Sequence, residues 1–208
     1  MEIETYILQH SSPENALLQE LTTETHLKSC RPRMLSGHLQ GLLLEQFSRM
    51  LSPQKILEIG TFTGYSAICL AQGLAPDGEL HTIEKNDEQE NFIRKYLSKS
   101  GMEKSIKLHI GDALEIIPKM SDMFDLIFID AHKPEYLDYY QVCLPKLRQG
   151  GYIIADNVLW DHKVLDPEKN KDASTQGIIK FNDFVQKDET VDNLILNLRD
   201  GLMLIRKK

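Results

Sequence analysis

From residue 55 onward the chain alternates between two patterns. Short apolar runs occupy Lys55–Ile59, Glu79–Glu84, Ser105–Ile110, Phe124–Ile129 and Tyr152–Asp156. Between them, apolar positions recur at helical spacing over Tyr65–Gln72, Asp87–Ser98, Ala113–Lys119 and Glu135–Leu144. The first pattern predicts buried strands and the second amphipathic helices. Gly73, Gly101 and the pair Gly150-Gly151 fall where those helices should stop. Strands separated by helices imply βαβ crossovers and a mostly parallel α/β sheet of Rossmann-like type, with helices on both faces. After a polar stretch from 160 to 172, a helix is predicted over Ser174–Gln186. Two last apolar runs, Val191–Leu196 and Leu202–Arg206, are separated by little more than Asp200-Gly201, which predicts a hairpin. The doubly wound sheet would then end in an antiparallel edge strand.

Two helices are expected ahead of the first strand. Ser11 and Glu14 have the spacing of a capping box, and Pro13 suits a first helical turn. Leu17, Leu18 and Leu21 then fall on one face. A second helix over about 38–51 places Leu39, Leu42, Leu43 and Phe47 on one stripe. No repeat, low-complexity tract or Gly/Ser-rich linker interrupts the chain, so residues 1–208 read as one domain.

Composition narrows the partners. A hydrophobic share of 41% and a charged share of 26% are ordinary globular usage, which argues against disorder. The net charge of −7 argues against a nucleic-acid groove. Arg31 and Arg33, and the terminal Arg206-Lys207-Lys208, read as solvated charge. Cys30, Cys69 and Cys143 are too scattered for a disulfide framework or a cysteine-based zinc site, and they read as reduced thiols of a cytoplasmic protein. The first residues lack the features of a signal peptide, and no run of about 18 apolar residues predicts a membrane span.

The loop after the first strand is the most informative segment. Glu58-Ile59-Gly60-Thr61-Phe62-Thr63-Gly64-Tyr65-Ser66 runs from a buried strand through a glycine turn into a helix. In open α/β sheets ligands bind beyond the carboxyl ends of the strands, at such turns. A dinucleotide fingerprint is G-x-G-x-x-G, but here Phe62 stands where the middle glycine would admit a pyrophosphate. Glu58 would repel a pyrophosphate and suit a cationic amine. S-adenosylmethionine carries both an amine and a sulfonium. Glu84, ending the second strand, would accept hydrogen bonds from ribose hydroxyls, or else is a solvated strand-end acid. Asp112-Ala113 after the third strand would line the adenine, and Asp112 also suits a helix N-cap.

A second cluster is rich in oxygen. The fourth strand ends in Asp130, followed by Ala131, His132 and Lys133; the fifth ends in Asp156-Asn157. If the strands are neighbours, two carboxylates and an amide oxygen converge. This set favours Mg²⁺, or Ca²⁺ or Mn²⁺, over zinc; the plain alternative is a pair of turn acids. His132 is more simply a solvent-facing residue than a ligand. Lys133 is placed to be a general base whose pKa a nearby dication would lower, or else a surface lysine capping a loop.

With these stretches in view, the chain resembles the cation-dependent O-methyltransferases, the group that includes the caffeoyl-CoA and catechol enzymes. The matching segments are Leu57–Ser66, Glu84, Gly111–Ala113, Asp130–Lys133 and Ala155–Val158. The resemblance implies a seven-stranded sheet with a reversed last strand. It implies cofactor contacts at Met34, Ser36, Glu58, Gly60, Thr61, Phe62, Ser66, Glu84, Asp112, Ala113 and Asp130. Asp130, Asp156 and Asn157 would hold the metal, and Asp130 and Lys133 would be catalytic. Lys133, Trp160 and Asp161 would face the substrate, a small phenolic molecule of catechol type. The plant enzymes have an asparagine at the position of Asp161, so a CoA-linked substrate is not expected. A homodimer is implied, with residues 1–52 forming part of the site and a candidate dimer surface. The alternatives are a metal-independent methyltransferase, an NAD-dependent oxidoreductase, which would not explain Asp130 with Asp156-Asn157, and a silent binding module.

Overall fold

The computed structural model describes residues 2–29 and 31–208; Cys30, read above as a thiol, lies outside them. Seven strands, β1 (Lys55–Ile59), β2 (Glu79–Glu84), β3 (Ile106–Ile110), β4 (Phe124–Ile129), β5 (Leu147–Asp156), β6 (Val191–Leu196) and β7 (Leu202–Lys207), form one sheet. Their order is β3-β2-β1-β4-β5-β7-β6. Strands β1 to β5 pair in parallel. Strand β7 runs antiparallel to both β5 and β6. The reversed strand therefore lies one position inside the edge, and β6, not β7, is the edge strand. The apolar content explains the placement. Leu202, Met203 and Ile205 of β7 are buried, whereas Leu194 and Ile195 of β6 are exposed. The more apolar strand takes the position flanked on both sides.

Side chains alternate across the sheet. Leu57, Ile59, Ile127, Ile129 and Ile153 join one core with α7 (Tyr136–Cys143) and α8 (Ala173–Lys187). Ile56, Leu126, Phe128 and Ile154 join the other with α2 (Ala16–Lys28), α3 (His38–Leu51), α4 (Tyr65–Ala71) and α5 (Glu90–Lys99). Cys69 and Cys143 are free and buried, one in each layer. No helix among the described residues is long and apolar enough to cross a membrane.

Several expectations change. An additional helix, α1 (Ile3–Gln9), precedes α2. The capping box does not form: Asn15 caps α2 by accepting from the Leu17 N–H at 2.7 Å. Ser11 instead donates to the Ile7 carbonyl at 2.7 Å, and Glu14 accepts from the Tyr65 hydroxyl at 2.5 Å. The buried face of α3 is Gln40, Gly41, Leu44 and Ser48 rather than Leu39, Leu42, Leu43 and Phe47, which are half-buried. At Gly41 that face meets α4 very closely: a Cβ there would meet the Tyr65 ring at 2.5 Å. Gly150-Gly151 does not end a helix. It lies inside β5, with Gly150 at φ +75° beside a register shift against Phe124 and Leu126, as a bulge requires. A 3₁₀ turn at Leu144–Lys146 closes α7 instead.

The strand order reverses between β1 and β4, which places the topological switch point there. Gly60, at φ +94°, makes the closest approach: a Cβ on it would stand 2.0 Å from the Asp130 carbonyl oxygen. The carboxyl ends of β1, β4 and β5 thus open onto one site.

Candidate active site

Glu58 shares strand parity with Ile56 and so points into the α3–α4 layer, with no exposed surface. Its neighbour in β2, Thr82, donates to Oε2 at 2.5 Å. Oε1 has no partner. Burial is the main cause that pushes the Glu58 carboxyl up to about 8; Ser66 and Thr82 oppose the shift, and the charges of Asp130 and Glu84 add to it. A buried acid with an orphan oxygen is a receptor for a cation.

The glycine turn is braced around it. The Thr61 and Thr82 hydroxyls are 2.5 Å apart. Phe62, at φ +52°, donates its N–H to Glu84 Oε2 at 2.8 Å, and Asn86 donates to Oε1 at 2.8 Å. Each oxygen keeps a lone pair for a hydroxyl. Asp112 caps α6 (Ala113–Ile116), accepting from the Leu114 N–H at 2.9 Å, and pairs with Lys85 at 2.6 Å. Asp112 is therefore an N-cap, and Ala113 after it is buried. Upstream, Ser36 is buried, while Met34 closes a 3₁₀ turn and is 52% exposed.

The acids of β4 and β5 converge as expected. Lys133 Nζ donates to Asp130 Oδ1 and to the Tyr136 hydroxyl, each at 2.8 Å. Tyr136, fully buried, donates in turn to the Asp156 carbonyl at 2.9 Å. Asp156 Oδ2 accepts from Gln40 Nε2 at 2.6 Å, and Oδ1 from the Asn157 N–H at 2.7 Å. Burial pushes the Asp156 carboxyl up, and the charge of Asp130 adds to it. Lys133 is only 8% exposed. Burial alone would discharge it, but Asp130 and Tyr136 outweigh that effect and hold its ammonium above the ordinary lysine range. In this arrangement Lys133 is a fixed positive charge.

Three consecutive residues, Trp160, Asp161 and His162, adopt left-handed conformations. The Trp160 ring lies 5.8 Å from Lys133 Nζ, and its buried indole N–H has no partner. Asp161 is exposed, and its N–H is held by Asp200. His132 lies apart from the acids, 3.5 Å from Glu135 and largely exposed. No group of three or more His, Cys, Asp and Glu side chains with metal-holding geometry occurs among the described residues.

Four residues of the site were not singled out by sequence. Tyr136 had a visible signal, its position three residues after Lys133. Gln40 had a weaker one, a polar residue among leucines. Thr82 and Arg199 had none, because only the sheet register and the β6–β7 loop bring them here.

The fold has known counterparts. The profile of the O-methyltransferase family matches residues 8–208. The chain belongs to the O-methyltransferase family. A catechol O-methyltransferase of Niastella koreensis is 36% identical over 163 residues, covering 76% of this chain and 73% of the relative. A probable caffeoyl-CoA O-methyltransferase of Dictyostelium discoideum is 30% identical, covering 97% and 90%. The crystal structure of the O-methyltransferase TomG from Streptomyces achromogenes, in complex with SAM, superposes with a TM-score of 0.91 at 30% identity, covering 99% of this chain and 96% of that one. The protein is an S-adenosylmethionine-dependent O-methyltransferase. The oxidoreductase and silent-module alternatives fall away.

Two outcomes test the site. The Glu58 carboxyl titrates near 8 in the fold and near 4.5 when unfolded. The folded state binds the extra proton between these values, so ligand-free stability falls as pH rises through that window. Glu58→Gln should raise the melting temperature by several degrees at pH 8 but not at pH 4.5, while weakening cofactor binding. Equal shifts at both pH values would contradict it. Tyr136→Phe leaves Lys133 short of an acceptor and the Asp156 carbonyl short of a donor. It should cost about 1–3 kcal/mol and lower kcat with little change in cofactor KM; an unchanged melt and kcat would remove Tyr136 from this role.

Proposed function

We propose that the enzyme methylates one oxygen of a vicinal-diol phenol, a small molecule of catechol type, with a divalent cation held by Asp130, Asp156 and Asn157. The observation that carries this reading is the acid pair of half-buried Asp130 and buried Asp156, set with Lys133 at the switch point. The names of the relatives, catechol and caffeoyl-CoA O-methyltransferase, support it.

The residues fit the two groups. The orphan Oε1 of Glu58 suits the amine of S-adenosylmethionine, and Glu84 suits its ribose hydroxyls. Met34, Ser36, Gly60, Thr61, Phe62, Ser66, Asp112, Ala113 and Asp130 are the further cofactor contacts that the resemblance implies. Two carboxylates and an amide oxygen are hard donors that suit Mg²⁺ first, then Ca²⁺ or Mn²⁺. Asp156 resists ionising beside Asp130, which a dication would relieve. S-adenosylmethionine would supply the electrophilic methyl group, and a cation held by Asp130, Asp156 and Asn157 would supply the charge that lowers the pKa of the acceptor hydroxyl.

The chain's own residues do the rest. With Asp130 committed elsewhere, Lys133 loses its main stabiliser and its pKa falls, so that Nζ takes the proton of the acceptor hydroxyl. Tyr136 keeps Nζ in place. Trp160 walls the acceptor beside Lys133, and Asp161 lies at the rim. Holding acceptor and methyl donor in line supplies most of the rate gain, since fixed geometry reaches effective molarities of roughly 10⁵–10⁸ M.

The decisive assay follows S-adenosylhomocysteine formation with catechols, with and without EDTA. Turnover should need Mg²⁺, vanish in EDTA and fall at least about 100-fold in Lys133→Ala. Persistence in EDTA would favour the metal-independent alternative, for which Lys133 on Asp130 already supplies a positive charge.

We extend the proposal to a homodimer. Ile3, Tyr6, Ile7 and Leu8 of α1 form an exposed apolar face suited to burial against a second copy. Light scattering should give about twice the 23.9 kDa chain mass, and a monomer would refute the pairing.

A further inference from the structure

We propose that Arg199 selects the acceptor: its guanidinium receives a carboxylate on the ring that is methylated, so the substrate is a phenolic acid rather than a neutral or cationic catechol. This rests on the O-methyl-transfer reading above and names the substrate class.

Arg199 sits in the loop between β6 and β7. That loop is joined to the segment after β5 by Val158 N–H to the Gly201 carbonyl at 3.1 Å and Leu159 N–H to the Asp200 carbonyl at 2.9 Å. Asp200 also accepts from the Asp161 N–H. Arg199 is therefore mounted on the same pair of loops as Trp160 and Asp161. Its φ of +50° is a left-handed conformation, which a non-glycine residue keeps only where its surroundings fix it.

From there the guanidinium reaches back over the site. Nη1 donates to Gln40 Oε1 at 3.1 Å, and both Nη atoms lie 3.4 Å from the Leu35 carbonyl. Gln40 in turn holds Asp156 Oδ2 at 2.6 Å. A continuous path thus runs from Arg199 through Gln40 to the acid proposed to hold the metal.

The charge is what these contacts leave unused. Both partners are neutral carbonyl oxygens. Arg49, Arg94, Arg148 and Arg206 each face a carboxylate. Arg199 faces none among the described residues, although Asp156 and Asp200 lie within its network. Asp156 is taken by Gln40 and Asp200 by Asp161. An arginine tethered by neutral acceptors, exposed and with donors to spare, presents a fork matched to a carboxylate. Against the protein's net charge of −7, such a local cation favours the entry of an anionic acceptor.

The test compares 3,4-dihydroxybenzoate with 3,4-dihydroxybenzyl alcohol, which share the diol and differ in the charged group. Wild-type enzyme should prefer the acid in kcat/KM. Arg199→Ala should lower kcat/KM for the acid by roughly tenfold to a hundredfold, mostly through KM, and for the alcohol by several-fold less. Arg199→Lys should recover part of the loss. An equal loss on both acceptors would assign Arg199 to bracing Gln40 and overturn the proposal. A rise confined to the KM of S-adenosylmethionine would mean that the carboxylate is the cofactor's, and would also overturn it. If neither compound turns over, the transfer reading itself has failed for catechols. Calorimetric binding of 3,4-dihydroxybenzoate to the S-adenosylhomocysteine-loaded protein then decides: binding lost in Arg199→Ala upholds the carboxylate site, and absent or unchanged binding removes it.

Discussion

The contact between the Gly60 backbone and the Asp130 carbonyl governs the geometry of everything around it. A Cβ at residue 60 would stand 2.0 Å from that oxygen, so only glycine lets the two loops at the switch point close together. The N–H of Asp130 bonds the Ile59 carbonyl at 3.0 Å, and the N–H of Gly60 bonds the Ile83 carbonyl at 3.0 Å. Three strand ends are thereby locked at one level. Glu58, Glu84 and Asp130 become electrostatic neighbours as a result, and Lys133, three residues on, folds back onto Asp130.

That closeness sets up an uneven charge distribution. Glu58 and Asp156 are buried, both resist ionising, and each feels the charge of Asp130. Among the described residues, Lys133 is the one amine in direct contact with an acid of this group, and that acid is Asp130. The fold therefore holds acids that gain from the arrival of cations. Such a site weakens the ligand-free protein and strengthens binding, the usual trade at a preorganised centre.

Packing decides which polar residues enter the site. On α3 the buried positions are Gln40, Gly41, Leu44 and Ser48, and the close approach of α4 is met at Gly41, where a Cβ would strike the Tyr65 ring. Gln40 is carried inward with that face, where it bridges Arg199 and Asp156. Ser48 is carried in likewise and donates to the Leu70 carbonyl at 2.6 Å. One interface between two helices thus fixes both the N-terminal layer and the side chain that steadies a site acid.

The sequence by itself determined the alternation of strands and helices, the glycine turn after β1, and the acids at the ends of β1, β2, β4 and β5. These are local features: an apolar period, a glycine that must adopt positive φ, and an acid closing an apolar run each announce themselves within a few residues. The tertiary structure alone decided the inner position of β7, the choice of Asn15 over Ser11 as a cap, the true buried face of α3, and the bulge at Gly150-Gly151. It also decided that Thr82 serves Glu58, that Tyr136 steadies Lys133, and that Arg199 reaches Gln40 across 159 positions of chain. Those outcomes depend on sheet register and interhelix distance, which the whole chain sets by competition among contacts, and no local pattern encodes them.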